Sequence, residues 1–132
     1  MKPIKLNIKT KLSNYPILIG SNLVKNLNLY LNKNSIIFNK CLLVIDKNVP
    51  NKMVSKITNS LKKKEISRFI FTANEKSKNM NYVNKILQIL LNKNFSRQDC
   101  VITIGGGITG DVGAFAASLY KRGLNFINIP TT

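Results

Sequence analysis

A chain of 132 residues with 44% hydrophobic content supports one domain with a real core, burying roughly two-thirds of the surface its unfolded form exposes. Apolar runs fall short of the ~18 residues of a membrane span, and the opening Met1-Lys2-Pro3-Ile4-Lys5-Leu6 lacks the apolar stretch of a secretory signal, which points to a cytoplasmic protein with no membrane partner. The net charge of +16 comes from 18 Lys and 3 Arg scattered among 19 Asn, and scarce Arg argues against a dedicated nucleic-acid reader, because Arg is the residue suited to bidentate phosphate and base contacts.

The elements follow in chain order. Ile4, Leu6 and Ile8 alternate with Lys5, Asn7 and Lys9, the period of a half-buried strand. A second short strand, Tyr15 to Ile19, ends at Gly20, and the two predict an opening β-hairpin. Ser21 and Asn22 are placed to cap a helix containing Leu23, Leu27 and Leu31. Cys41 to Ile45 is a continuous apolar strand leaving through Asp46-Lys47-Asn48. Pro50 suits the first turn of a helix carrying Val54, Ile57 and Leu61 on one face. Ile66 to Phe71 is the next strand. Val83, Ile86, Leu87, Leu90 and Leu91 trace an amphipathic helix. Val101 to Ile104 is a short buried strand, followed by a Gly-rich turn, an Ala-rich helix over Val112–Tyr120 ended by Gly123, and a strand over Leu124–Ile129. Cys41 and Cys100 lie inside apolar strands and read as reduced core thiols, not as a disulfide or a zinc site.

Strands and helices alternating at these lengths predict the α/β class: a Rossmann-like parallel sheet with helices on both faces. The sequence halts at Pro130-Thr131-Thr132 with no helix returning over the sheet. A bare edge of that kind is expected of an incomplete domain.

Residues 1–100 hold 19 basic and 4 acidic groups, whereas residues 101–132 hold 2 and 1. The charge thus avoids the segment where motifs concentrate. That segment begins Gly105-Gly106-Gly107-Ile108-Thr109-Gly110-Asp111, at a strand-to-helix turn. Glycines there permit positive φ and let backbone N–H groups approach a phosphate, while the following helix points its positive end at the same anion. The alternative is a tight turn whose glycines serve close packing only. Gly105, Gly107 and Gly110 match G-x-G-x-x-G, but the turn follows several strands and no acidic residue lies beyond Asp111. A standard dinucleotide fingerprint follows the first strand and has an acidic residue ~20 positions later, so a standard Rossmann dehydrogenase is disfavoured.

The longer string resembles the 3-dehydroquinate synthase family: GGG-x-x-GD at 105–111, then Gly113-Ala114-Phe115-Ala116-Ala117, Tyr120-Lys121-Arg122-Gly123 and Ile129-Pro130-Thr131-Thr132. Upstream, Tyr15–Gly20 is similar to the family's opening hairpin, Asp46–Val49 to the exit of its first nucleotide-binding strand, and Asn74–Lys78 to its Gly-Glu-x-x-Lys turn, with Asn in place of Gly. The resemblance implies NAD as cofactor. Asp46 and Asn48 would face its adenosine side, and Glu75 and Lys78 its ribose and phosphates. Gly106, Gly107 and Ile108, with Thr109 and Gly110, would line the pyrophosphate. Asp111 would hydrogen-bond near the nicotinamide ribose, and Thr131 and Thr132 would meet the cofactor at the domain boundary. Arg122 would bind the substrate phosphate.

The implied reaction converts 3-deoxy-D-arabino-heptulosonate 7-phosphate, a phosphorylated sugar acid, into 3-dehydroquinate and phosphate in the shikimate route to aromatic amino acids. The cofactor transiently oxidises one hydroxyl, which acidifies the neighbouring proton and permits phosphate elimination. The family also implies a homodimer and a divalent metal, zinc or cobalt, held by a Glu and two His in a carboxy-terminal helical domain. This sequence contains no His and ends before that domain, so the expectation is an NAD-binding part with no catalytic or metal-ligating residue of its own, inactive alone. The alternatives are a polyol dehydrogenase or inosose synthase of the same superfamily, and a basic nucleic-acid-binding fragment.

Overall fold

In a computed structural model that describes residues 2–131, the opening alternating segments pair antiparallel as β1 (Ile4–Lys9) and β2 (Asn14–Ile19). The hairpin loop is closed by Thr10, whose hydroxyl accepts the Ser13 N–H at 2.9 Å. The expected burial of Ile4 and Leu6 is not what is found: both are exposed, and on β2 it is Pro16 and Leu18 that are half-buried. Alternation fixes which residues share a face but not which face turns inward.

Helix α1 (Leu27–Lys33) starts well after the expected Ser21/Asn22 cap. Asn22 adopts φ of +59°, a left-handed conformation that no N-cap uses, and a turn joining the Asn26 N–H to the Leu23 carbonyl intervenes. The remaining elements keep the expected order: β3 (Lys40–Asp46), α2 (Asn51–Ser60), β4 (Glu65–Phe71), α3 (Met80–Asn92), β5 (Cys100–Gly105), α4 (Gly107–Leu119) and β6 (Asn125–Pro130). Pro50 stands at the N-cap of α2, just outside the first turn. The Asn79 side chain caps α3 by accepting the N–H groups of Asn81 and Tyr82.

Strands β3 to β6 form one parallel sheet in the order β4-β3-β5-β6. Helices cover both faces, as expected. Leu42, Val44 and Val101 pack with Val83, Ile86 and Leu90 of α3 and with Val112 and Ala116 of α4. Leu43, Ile45, Ile102 and Ile104 pack on the other face with Leu31 of α1 and Ile57 and Leu61 around α2. A continuous apolar run such as Cys41–Ile45 is therefore buried on both sides, each large side chain contributing about 1.5–3 kcal/mol. Cys41 and Cys100 are register partners, fully buried as free thiols. Burial pushes the Cys41 thiol up to about 11 and that of Cys100 higher still. No helix of the described residues is long and apolar enough to cross a membrane.

The amino-terminal edge of the sheet is tied together by Asp99. Its carboxylate accepts the N–H of Lys40 at 3.0 Å, the N–H of Ser96 at 2.8 Å and the Ser96 hydroxyl at 3.2 Å. Its carbonyl accepts the Asn125 N–H, so one residue links β3, β5 and β6. Burial alone would raise the Asp99 carboxyl, but the Ser96 and Lys40 N–H groups outweigh it and hold the group below the usual range. Nearby, the Tyr120 hydroxyl reaches the carbonyls of Leu90 (3.2 Å) and Phe95 (3.0 Å), satisfying the end of α3.

Candidate functional site

The strand order places a topological switch between β3 and β5. The chain leaves β3 outward to β4, then returns across β3 to build β5 and β6 on its other side. In open α/β sheets the crevice outside the carboxyl ends of the strands at such a reversal is where ligands bind. Here it is flanked by Asp46, which ends β3, and Gly105, which ends β5.

The glycines around it divide by role. Gly105 has φ of +156°, and a Cβ there would meet the Thr109 side chain at 2.6 Å and the Asp46 Cβ at 3.1 Å. It lets the two strand ends approach. Gly113 lies against the Thr103 side chain, and a Cβ on Gly110 would meet the Asn128 amide at 3.2 Å; these two let α4 sit down on β5 and β6. Gly107 differs, because a Cβ there would meet no described atom within 4 Å and its φ is not in the left-handed region. Nothing inside the protein asks for glycine at Gly107. The space in front of it is open.

This corrects the expected boundaries. Residues 107–111 are not a loop preceding a helix at Val112, but the first turns of α4 itself. Repeated glycine, a poor helix former, disguised the helix in the sequence. Gly106 occupies the N-cap with no side-chain cap bond, and the first turn carries no acidic residue. The first N–H groups and the positive end of a 13-residue helix therefore face the crevice without a compensating side chain. The Thr109 hydroxyl, fully buried against Gly105, has no hydrogen-bond partner among the described residues.

Around this edge Asp46 accepts the N–H groups of Asn48 (3.2 Å) and Ala73 (3.4 Å) on one carboxylate oxygen, joining the exits of β3 and β4. Asn48 and Glu75 are exposed, and Glu75 opens a short 3₁₀ turn, Glu75–Ser77, capped by the Asn74 side chain. Lys78 and Asp111 pair at 3.1 Å, bridging that turn to α4. With the two side chains 53% and 62% exposed, solvent screening leaves the pair little intrinsic strength. Below it is a shallow recess of about 370 Å³ between Met80, Val83, Val112 and Phe115. The Thr131 N–H donates to the Gly105 carbonyl at 2.9 Å, holding the end of β6 to the turn. Asp46, Gly105–Asp111, Lys78 and Thr131 thus converge on one edge. Thr132 lies outside the described residues.

Arg122 is elsewhere. It precedes β6, whose first residue pairs with Cys100 at the amino end of β5, so the full length of α4, about 20 Å, separates it from the crevice. Lys121, Arg122 and Gly123 all have positive φ (45°, 68° and 114°), so the turn holding Arg122 is a strained one. A larger cleft of about 540 Å³ lies between the hairpin and α1, lined by Lys2, Lys5 and Lys33, but it includes no residue of the parallel sheet. Thr109 is expected in the turn, but that its hydroxyl is buried and unpartnered among the described residues carries no local signal in the sequence. Among the described residues no cluster of three His, Cys, Asp or Glu could hold a metal ion.

Residues 68–132 match a family model described as 3-dehydroquinate synthase N-terminal. The 3-dehydroquinate synthase of Pelagibacter ubique (strain HTCC1062) is 56% identical over 129 residues, covering 98% of this chain and 35% of that protein. That of Alkaliphilus metalliredigens (strain QYMF) is 36% identical over 128 residues, covering 97% and 35%. The chain spans about a third of the length of the curated relatives it matches. In fold it is similar to a 2-deoxy-scyllo-inosose synthase solved with carbaglucose-6-phosphate, NAD+ and Co2+, with a TM-score of 0.87 at 22% identity, covering 98% of this chain and 35% of that one.

Proposed function

Since the chain belongs to the 3-dehydroquinate synthase family, we propose that it binds NAD at the β3/β5 crevice, as the cofactor-holding part of the reaction that forms 3-dehydroquinate and phosphate from 3-deoxy-D-arabino-heptulosonate 7-phosphate. The observation that carries the reading is the open, uncapped start of α4: a helix end with donors unanswered and room in front of Gly107. The pyrophosphate would take the N–H groups of Gly106, Gly107 and Ile108, with Thr109 and Gly110 shaping the turn behind it. A partly shielded carboxylate at the end of β3 suits ribose hydroxyls, which gives Asp46 the adenosine side with Asn48 beside it. Glu75 and Lys78 would hold ribose and phosphate from the neighbouring turn. Asp111 would reach the nicotinamide ribose and leave its pairing with Lys78 to do so. Thr131 would line the far side of the crevice.

Bound there, NAD supplies the transient oxidation of a substrate hydroxyl. This chain's part is to grip, orient and shield the cofactor. Among the described residues none assemble a metal site. Arg122 remains suited to a phosphate through its guanidinium fork, but only to a phosphate bound at the amino-terminal end of the sheet. Within a homodimer that phosphate would sit in the other copy's site. The substrate class proposed is a phosphorylated sugar acid.

Gly107→Val tests the cofactor site. Its backbone is ordinary and its surroundings empty, so the fold should be unchanged by circular dichroism. NAD-induced amide shifts at Gly106–Asp111 should vanish. Equal NAD affinity in parent and variant would mean that the turn is structural only.

A further inference from the structure

Lysine is spread unevenly along the chain. Residues 1–64 hold 13 Lys and a single acidic residue, Asp46, whereas residues 65–132 hold 8 basic and 4 acidic groups. No carboxylate precedes Asp46, so the hairpin and α1 carry their lysines without a local counter-ion. Three of those lysines converge on one cleft. Strand alternation puts Lys5 on the opposite face of β1 from Ile4 and Leu6, and the register sets it beside Leu18 of β2. Gly20 closes the end of the hairpin against Pro3: a Cβ there would meet the Pro3 Cα at 3.1 Å. The close approach seats Pro3 and Lys2 in the cleft lining. On the facing wall Tyr30, Lys33 and Asn34 share one side of the last turn of α1, at i, i+3 and i+4.

The cleft encloses about 540 Å³, the size of a small-molecule site, and no acidic residue lines it. Among the described residues the ammonium groups of Lys2, Lys5 and Lys33 have no hydrogen-bond or ion-pair partner. The lysines that do have one are Lys40 and Lys64, on backbone carbonyls, and Lys78, on Asp111. Lys33 lies over the Tyr30 ring, 5.8 Å from its centroid, which orders one of the three. Like charges around a concavity repel one another and focus their field on whatever enters it. A multivalent anion relieves that repulsion and is attracted by all three. Lysine meets phosphate as a point charge, whereas the planar fork that grips a carboxylate bidentately belongs to Arg, which the cleft lacks. The Asn34 side-chain amide donates to the Tyr30 carbonyl at 2.7 Å, leaving its oxygen to accept from a ligand hydroxyl. A nucleic-acid strand needs a charged groove long enough to follow its backbone, and a cleft against a helix of seven residues is about 10 Å long.

We propose that the cleft between the β1–β2 hairpin and α1 is a second ligand site, which takes a small molecule bearing a polyphosphate group on Lys2, Lys5 and Lys33. It shares no residue with the β3/β5 crevice, and the proposal does not rest on the cofactor reading.

Titration of the whole isotope-labelled chain with inorganic triphosphate and, separately, with ATP, both free of divalent metal, tests it by amide chemical shift. Both should move Lys5, Leu18 and Tyr30–Asn34 along one saturating curve. Equal affinities would assign the site to the polyphosphate group alone, and tighter binding of ATP would make a nucleotide its occupant. Lys5→Gln and Lys33→Gln should each weaken triphosphate about fivefold with unchanged circular dichroism spectra. Lys52→Gln removes the same charge from the exposed side of α2 and should leave the affinity as it was. Equal weakening by all three variants would reveal diffuse charge and no site. Shifts confined to Gly106–Asp111 would send the polyphosphate to the crevice. Tighter binding of duplex DNA than of triphosphate, through the same lysines, would give the cleft to nucleic acid. Each of these three results overturns the proposal, and none of them bears on whether NAD moves Gly106–Asp111.

Discussion

The two ends of the parallel sheet are built to opposite rules. At the amino-terminal edge, Asp99 and Tyr120 leave few polar groups idle: one carboxylate answers three donors and one hydroxyl reaches two carbonyls. At the carboxyl edge, among the described residues, α4 begins without a side-chain cap, Thr109 keeps a buried hydroxyl without a partner, and Gly107 fronts open space. Satisfied polar groups hold a structure together, whereas unsatisfied ones are available to something else. Polar groups are satisfied at one end of the sheet and left open at the other.

The comparison is broken most forcefully at Asp99. Asp99→Ala removes the acceptor for the part-buried N–H groups of Lys40 at the start of β3 and of Ser96 in the loop before β5, and should lower unfolding free energy by about 3 kcal/mol, read by urea denaturation. The parent should also show an acid dependence that the variant lacks. Because the folded carboxyl is held below its unfolded value of about 3.9, its contribution is complete above that pH and lost as pH falls through the folded value. A parent and variant with identical acid limbs would remove Asp99 from this role. A smaller loss is expected for Tyr120→Phe, which removes the hydroxyl from the Phe95 carbonyl and from the Leu90 carbonyl, the latter keeping the Phe95 N–H, and should cost about 1–2 kcal/mol. At the other end the sign reverses. Gly107→Ala places a better helix former in an unhindered first turn and should be neutral or stabilising by up to about 1 kcal/mol while weakening NAD binding. A variant that loses stability instead would show that the carboxyl edge is not built for binding.

The alternation of strands and helices was legible because each buried strand reads as a short apolar run and each surface helix as a periodic one; Cys41–Ile45 and Val83–Leu91 are the clearest cases. What failed was information that lies outside the local string. Asn22 has the chemistry of a cap, but its left-handed backbone is set by the turn after it. Ile4 and Leu6 show the period of a strand without revealing which side the domain will claim. The GGG-x-x-GD string marked the turn between β5 and α4 but not the different surroundings of its glycines: Gly105 and Gly113 meet Asp46 and Thr103 from neighbouring strands, whereas Gly107 meets nothing. Arg122 sits 11 residues from Asp111 in the string, yet α4 carries it to the far end of the sheet.

The register pairing of Cys41 with Cys100 has a practical consequence. These thiols lie in the two strands that flank the switch point, and burial keeps both protonated at ordinary pH, with Cys41 near 11. A thiol reagent attacks the thiolate, so neither can be modified until β3 and β5 are exposed to water. The chain therefore carries its own clock. The rate of thiol modification counts openings of the sheet at the seam where the crevice forms, and a ligand gripping both strand ends would slow it without touching either sulfur.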